Sequence, residues 1–304
     1  MVTRPVGHRK DAVAVDTDLD VVTGAFSYSG KAIAEALLGS GRQVRTITGH
    51  PGRAPEGSPI EARPLDFDNP VALVESLAGA TTLYNTYWVR FARDRTDHAL
   101  AVANSRALFL AARRAGIRRI VHVSITHPGI DSSSACFRGK PLVERALGEV
   151  DVPYAIVRPA ILFGGDGVLL NDIAWLLRVP VFAVGGRGRY TVRLVHDADL
   201  AHLCVERGAE RHESVADAVG PERPTFIDLV RDIRDAVDSS ARIVHLPGSA
   251  VPMFSRFLGR ALRGVLLTAD EYRPMAARLA DTHGPAIAPT APARTDPAVA
   301  EGRM

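Results

Sequence analysis

The chain carries the segment Val22-Thr23-Gly24-Ala25-Phe26-Ser27-Tyr28-Ser29-Gly30 between a short apolar run, Leu19 to Thr23, and a stretch with apolar residues near helical spacing at Ile33, Leu37 and Leu38. A strand that passes through a glycine turn directly into a helix leaves few folds open. Gly24 lets the chain reverse, Gly30 lets the helix pack closely on the strand, and the helix start offers free N–H groups and a positive dipole end to an anion. Ser27 stands where a third glycine usually allows the closest approach to phosphates. It keeps its backbone donor and adds a hydroxyl, but its Cβ takes up room. Phe26, Ser27 and Tyr28, between the two glycines, are therefore expected to line a dinucleotide pyrophosphate site.

The rhythm continues beyond this turn. Strands are expected at Gln43 to Thr48, Ile60 to Leu65, Thr81 to Asn85, Arg118 to Ser124 and Tyr154 to Val157. Helices are expected at Pro70 to Leu77, Thr96 to Ala115 and Phe137 to Val150. Strands alternating with helices of this length predict an α/β fold, a doubly wound parallel Rossmann sheet, with a small C-terminal α/β lobe over the cleft. The expected division is a flexible leader at 1–18, a dinucleotide-binding domain at 19–165, a smaller lobe at 166–280 that returns to the core near 190–208, and a disordered tail at 281–304. Within the lobe the pattern suggests a helix near Ile173 to Leu177, a strand from Tyr190 to Val195, a helix from Asp197 to Arg207, and a strand at Val215 to Val219. A helix from Thr225 to Val237, a strand at Arg242 to Leu246, and helices at Met253 to Leu262 and Thr268 to Leu279 follow.

Composition narrows the function classes. The 37 basic and 34 acidic residues nearly cancel and form no dense cationic block, so no nucleic-acid partner is expected. Cys136 and Cys204 are the whole cysteine supply, without metal-ligand spacing, which argues against a metal centre and for a reduced, cytoplasmic setting. Residues 1–18 lack a signal-length apolar core, and the longest apolar stretch, Val152 to Gly165, is broken by Arg158 and Pro159, so no membrane insertion is expected.

The choice of dinucleotide turns on the end of the second strand, where an NAD site usually places a carboxylate on the ribose 2′-OH. Here the chain reads Arg45-Thr46-Ile47-Thr48-Gly49-His50. Thr48 can bond either cofactor, while Arg45, His50 or Arg53 can meet a 2′-phosphate, so NADP is preferred over NAD. Asp66, after the third strand, can accept from the adenine amino group, whereas Asn69 before Pro70 suits the helix cap. Asn85, ending the fourth strand, joins the expected cofactor contacts.

From Leu19 to Leu279 the chain resembles the extended and atypical short-chain dehydrogenase/reductases. The resemblance rests on Val22-Thr23-Gly24-Ala25, Leu65-Asp66, Val121-His122-Val123-Ser124, Arg158-Pro159 with Phe163-Gly164, and Val195-His196-Asp197-Ala198-Asp199-Leu200. Within that group it looks most like the branch of NmrA-like redox sensors and the nucleotide-binding accessory subunit of respiratory complex I. Gly220-Pro221-Glu222, before the helix from Thr225, adds to the likeness. Catalytic relatives use a Tyr-x-x-x-Lys pair, one helical turn apart, in which the ammonium lowers the phenol pKa for proton exchange with a carbonyl. The resemblance assigns Lys140 to the lysine and the nicotinamide ribose, and Ser124 to the nicotinamide end of the cleft. The tyrosine position is Cys136.

Three readings of that replacement stay open. Cys136 can be an acid/base beside Lys140, although a thiol reaches less far than a phenol. Tyr87 or His127, on loops at the C-terminal edge of the sheet, can donate instead; an aromatic cleft wall and an ordinary loop histidine are their plainer roles. Or the site does no chemistry and only binds. His196, Asp197 and Asp199 are read as structural, with Asp197 capping the following helix and no metal bound. Arg187, Arg189 and Arg193 can meet an anionic substrate at the lobe's mouth or simply face solvent. Two function classes result: an oxidoreductase or epimerase-like enzyme acting on a small carbonyl or carbinol substrate, and a non-catalytic dinucleotide sensor or accessory subunit. The helices at 96–115 and 137–150 commonly pair in the family and are compatible with a homodimer.

Overall fold

The structure is a computed structural model that describes residues 19–89, 97–132, 134–165, 167–247, 281–282 and 284–288. The leader at 1–18 and the helices expected at 253–262 and 268–279 lie outside the described residues.

Among the described residues, seven strands form one parallel sheet: β1 (Leu19–Thr23), β2 (Gln43–Thr48), β3 (Glu61–Pro64), β4 (Thr82–Asn85), β5 (Arg119–Val123), β6 (Tyr154–Pro159) and β10 (Ser214–Ala218), in the order β10-β6-β5-β4-β1-β2-β3. Central strands are buried on both faces and read as apolar runs, as parallel sheets require. β3 at the edge is mostly exposed and tolerates Pro64, which has no N–H to give a neighbour. Alternate side chains feed two cores. Val21, Leu83 and Ile120 pack with Leu73 and Leu77 of α2 (Pro70–Leu77), Leu108 and Phe109 of α3 (His98–Arg114), and Val143 and Leu147 of α4 (Ala135–Gly148). Val22, Tyr84 and Val121 pack on the opposite face with Ile33 and Leu37 of α1 (Tyr28–Gly39) and Leu200 and Cys204 of α6 (Asp197–Ala209). The expected doubly wound sheet is thus observed.

Between β6 and α6 the chain leaves the sheet through β7 (Ile161–Phe163), α5 (Val168–Leu176), β8 (Val181–Gly185) and β9 (Leu194–His196). After β10 it forms α7 (Phe226–Ala236) and β11 (Arg242–Leu246). β7 pairs with β9 and β8 with β11, both in parallel, around a third core that includes Ile173, Phe182, Leu194, Phe226 and Leu229.

Three expectations need correction. The strand near Val215, read as a lobe element, belongs to the main body: β10 pairs with β6 from Ser214↔Ala155 to Ala218↔Pro159, while α6 packs on α1 within the stretch expected to return to the core. β8 was missed, because a short apolar run such as Val-Phe-Ala-Val has no period that separates strand from buried helix. The tail boundary at 281 comes too early. Asp281 and Thr282 are buried, and the Ile287 N–H donates to the Val219 carbonyl at 2.9 Å.

Candidate functional site

The sheet order reverses where β1 lies between β2 and β4, so the helices that follow β1 and β4 depart to opposite faces and open a crevice at the strands' C-terminal ends. The glycine turn sits there. Gly24 has φ +63°, a left-handed conformation, and a Cβ placed on Gly30 would lie 2.8 Å from the Gly24 carbonyl carbon and 2.9 Å from the Thr23 oxygen. Both glycines are therefore needed for turn and helix to touch. The Thr46 hydroxyl holds the turn from β2, accepting from the Ala25 N–H at 2.9 Å and donating to the Val22 carbonyl at 3.0 Å. α2 and α3 begin on Asn69 and Asp97, whose side chains accept first-turn N–H groups; Ser27, starting α1, instead turns its hydroxyl back to the Gly24 carbonyl at 2.6 Å. Among the described residues the first-turn N–H groups of α1 thus have no side-chain cap, at the end of β1 where the crevice opens. Phe26 and Tyr28 are partly buried and Ser27 exposed, with the Tyr28 hydroxyl reaching Gly167 at the start of α5.

At the end of β2, where the sequence places the adenosine, Thr48 closes the strand, and His50 and Arg53 follow as exposed residues. Arg45 is withdrawn from the expected 2′-phosphate set: it donates to Glu61 at 2.7 Å and to the carbonyls of Ser76 and Ala78, near the opposite end of the strand. Asp66 is exposed after β3, its Oδ1 accepting from the Asp68 N–H at 3.0 Å, and Asn69 caps α2 as expected.

Asn85 is placed differently from a cofactor contact. Its side chain is fully buried, Oδ1 accepting from Thr23 Oγ1 (3.4 Å) and the Tyr87 N–H (3.0 Å), and Nδ2 donating to His122 Nδ1 at 3.1 Å. Thr86 adds a bond to the Thr23 carbonyl at 2.6 Å. Polar side chains therefore tie the ends of β1, β4 and β5 into one ledge beneath the crevice. Burial, and then the nearby Lys140 charge, hold the His122 pKa well below the usual 6.5, so its ring is neutral. Nothing in the local pattern of β5 marked this network, which needs strands 37 and 62 residues apart to meet.

At the other end of the crevice, Lys140 on α4 is buried and donates to the Val123 carbonyl at 3.2 Å, with the Trp88 ring centroid 4.5 Å from Nζ. Ser124, which follows β5, is buried, and among the described residues its hydroxyl has no hydrogen-bond partner. An orphaned hydroxyl beside the lysine's anchor is what a bound ligand would satisfy. α4 is fixed from both sides. Arg158 grips Glu144 through two bonds of 3.0 and 2.6 Å, and Pro141, lacking an N–H, leaves the Phe137 carbonyl to the Gly129 N–H at 3.2 Å. Cys136 lies in the first turn of α4; its side chain is outside the described residues.

Other candidates are engaged elsewhere. The Tyr87 hydroxyl accepts from Asn104 at 2.9 Å, and its ring packs on Phe67. His127 Nε2 donates to the Asp281 carbonyl at 2.9 Å. Arg193, expected at the lobe's mouth, is buried and donates to the carbonyls of Gly220 and Thr282, while Arg187 and Arg189 are exposed. His196, not Asp197, is the N-cap residue of α6, although Asp197 Oδ1 also accepts the Ala198 N–H at 2.8 Å. Gly164, with φ +114°, leaves room for that carboxylate. Among the described residues no cluster of three His, Cys, Asp or Glu is placed to hold a metal, and no helix is long and apolar enough to cross a membrane.

A parallel sheet reversing at β1, with a glycine turn opening α1 and a buried lysine on the helix after β5, is a Rossmann-like α/β architecture. No known family model matches the chain. Among curated relatives, it is 34% identical over 139 residues to "NADH dehydrogenase [ubiquinone] 1 alpha subcomplex subunit 9, mitochondrial" of Mus musculus, covering 42% of this chain and 35% of that protein. It is 27% identical over 217 residues to the 4-hydroxy-2-methyl-3-oxo-4-farnesyl-3,4-dihydroquinoline-1-oxide ketoreductase of Stigmatella aurantiaca, covering 62% of this chain and 64% of that one. The chain thus spans between about a third and two thirds of the length of these relatives. The triphenylmethane reductase of Citrobacter sp., solved with NADP(H), superposes with a TM-score of 0.69 at 20% identity, over 87% of this chain and 92% of that one. The two relatives share part of this sequence, and the superposed reductase shares its fold.

Proposed function

We propose that the chain binds NADP(H), and NAD(H) less well, along the crevice, and moves a hydride between the nicotinamide and a carbonyl or carbinol carbon of a small substrate. The backbone approach of Gly30 to Gly24 carries this reading, because it leaves no space for a side chain and aims the uncapped start of α1 at a phosphate. Gly24, Phe26, Ser27, Tyr28 and Gly30 would hold the pyrophosphate, Thr48 and Arg53 the adenosine ribose and its 2′-phosphate, and Asp66 the adenine. Lys140 and Ser124 would hold the nicotinamide end, with Asn85 acting from beneath. A bound nicotinamide supplies or takes the hydride. The chain's share is to orient that ring, to keep a fixed cation near the reacting end, and to offer the Ser124 hydroxyl to the substrate oxygen. The proton would come from Cys136 or Tyr87. A relative named as a ketoreductase and a same-fold reductase solved with NADP(H) support this class.

Cys136 in the tyrosine position favours a second reading, a dinucleotide sensor or accessory subunit that binds without turnover. The relative named as a subunit of NADH dehydrogenase supports it. Calorimetric titration with NADPH and NADH tests the shared claim, which fails if neither binds at millimolar concentration. NADPH oxidation over a carbonyl panel separates the two readings. Activity in the wild type that is lost in Cys136→Ser supports the enzyme, whereas activity appearing only in Cys136→Tyr supports the sensor.

A further inference from the structure

Trp88 follows β4, yet its indole reaches across to α4. A Cβ on Gly139 would lie 2.7 Å from the Trp88 Cη2 atom, so the indole occupies the space a side chain at 139 would fill. The same ring stands 4.5 Å from Lys140 Nζ, and the ammonium donates to the Val123 carbonyl. The His98 ring lies 5.6 Å from the indole on its α3 side. A buried ammonium needs compensation, and the negative face of an indole provides it without neutralising the charge, as a carboxylate partner would.

We propose that Trp88 is the positioning residue for Lys140, its indole seated on Gly139 and holding the ammonium against the end of β5 so that the cation meets a dinucleotide already oriented. This rests on the reading of the crevice as a dinucleotide site. It assigns a role to Gly139 as well, since only a residue without a side chain admits the ring.

Two readouts test it. The first needs no nucleotide: the acetylation rate of Lys140, followed by peptide mapping in the folded protein, is slow in the wild type. It rises at least fivefold in Trp88→Leu and Gly139→Ala, and by less than twofold in Trp88→Phe, which keeps a ring. The second is the NADPH dissociation constant. From the usual strength of such contacts, Trp88→Leu weakens binding by about threefold to thirtyfold, while Trp88→Phe recovers most of the affinity. In a Lys140→Met background the difference between Leu and Phe disappears. Circular dichroism and melting show which variants are folded, and Trp88→Phe keeps the comparison available if Leu is not. An unchanged acetylation rate in folded Trp88→Leu, or a Leu-versus-Phe difference that survives in Lys140→Met, overturns the proposal. Failure of the wild type to bind either nucleotide overturns the dinucleotide reading and the positioning role with it; the acetylation series then reports only whether the ring shields the lysine.

Discussion

Gly30→Ala adds one methyl at the closest backbone contact of the glycine turn. That methyl would lie 2.8 Å from the Gly24 carbonyl carbon and 2.9 Å from the Thr23 oxygen, and closer still to the Gly24 oxygen. All three are main-chain atoms, so no rotamer change relieves the contact. Reaching an ordinary 3.4 Å from the carbon alone moves the turn and α1 apart by about 0.6 Å. Overpacking of this kind costs about 1–3 kcal/mol, while alanine in place of glycine within a helix returns up to about 1 kcal/mol. The net loss of stability is therefore about 0–3 kcal/mol by the same two figures. Affinity suffers more. A shift of that size misaligns the N–H groups facing the pyrophosphate, and losing two charge-assisted bonds at about 1.5–3 kcal/mol each weakens NADPH binding by about a hundredfold or more. Gly39→Ala is the control on the same helix: among the described residues nothing lies within 4 Å of its Cβ position, so it should gain about 0.5–1 kcal/mol and bind normally. Calorimetric titration and thermal melts of both variants decide the matter. Gly30→Ala binding NADPH within threefold of the wild type would refute the reasoning.

Further outcomes follow from single contacts. Thr46→Val strands the buried Ala25 N–H and should lower stability by about 1–3 kcal/mol in denaturant titration, with Thr46→Ser recovering most of it. Because burial and Lys140 keep folded His122 neutral, both folded and unfolded states are neutral there above pH 6.5; below it only the unfolded chain takes the proton, and stability falls. His122→Gln should therefore flatten the loss of melting temperature between pH 6.5 and 5, a slope of up to about 1.4 kcal/mol per pH unit. Cys204 is fully buried and its thiol is pushed well above its ordinary range, so iodoacetamide at pH 8 should leave it unmodified until the protein unfolds, as peptide mapping would show.

Local patterns made the main body legible. The glycine turn, the helix containing Ile33 and Leu37, and the buried run of β5 each declare themselves within a few residues, and the strand at Arg242 to Leu246 falls where its apolar pattern places it. What escaped depends on distant pairing. Ser214–Ala218 reads as a lobe strand until β6 is seen beside it, 59 residues earlier at the Ser214↔Ala155 pair. Arg45 and Arg193 look like free cations because their acceptors are mostly main-chain carbonyls, which carry no residue-type signal. The same holds for Thr46, an unremarked strand residue whose hydroxyl braces the turn opposite Val22. Cys136, by contrast, is wholly a sequence observation.

Asp281 and Thr282 join the sheet to the lobe. Arg223 clasps Asp281 through two bonds of 2.7 Å, Thr191 donates to the same carboxylate, and Thr282 donates to Asp217 at 2.8 Å while its carbonyl accepts from Arg193. His127 lies 154 residues upstream of the carbonyl it bonds. During synthesis the sheet and the lobe can each collapse before that segment leaves the ribosome, but the groups at their junction are still without these partners. The junction gains these bonds only once residues 281 and 282 have followed both parts out. A chain cut before residue 281 would keep every strand of the sheet and lose the latch.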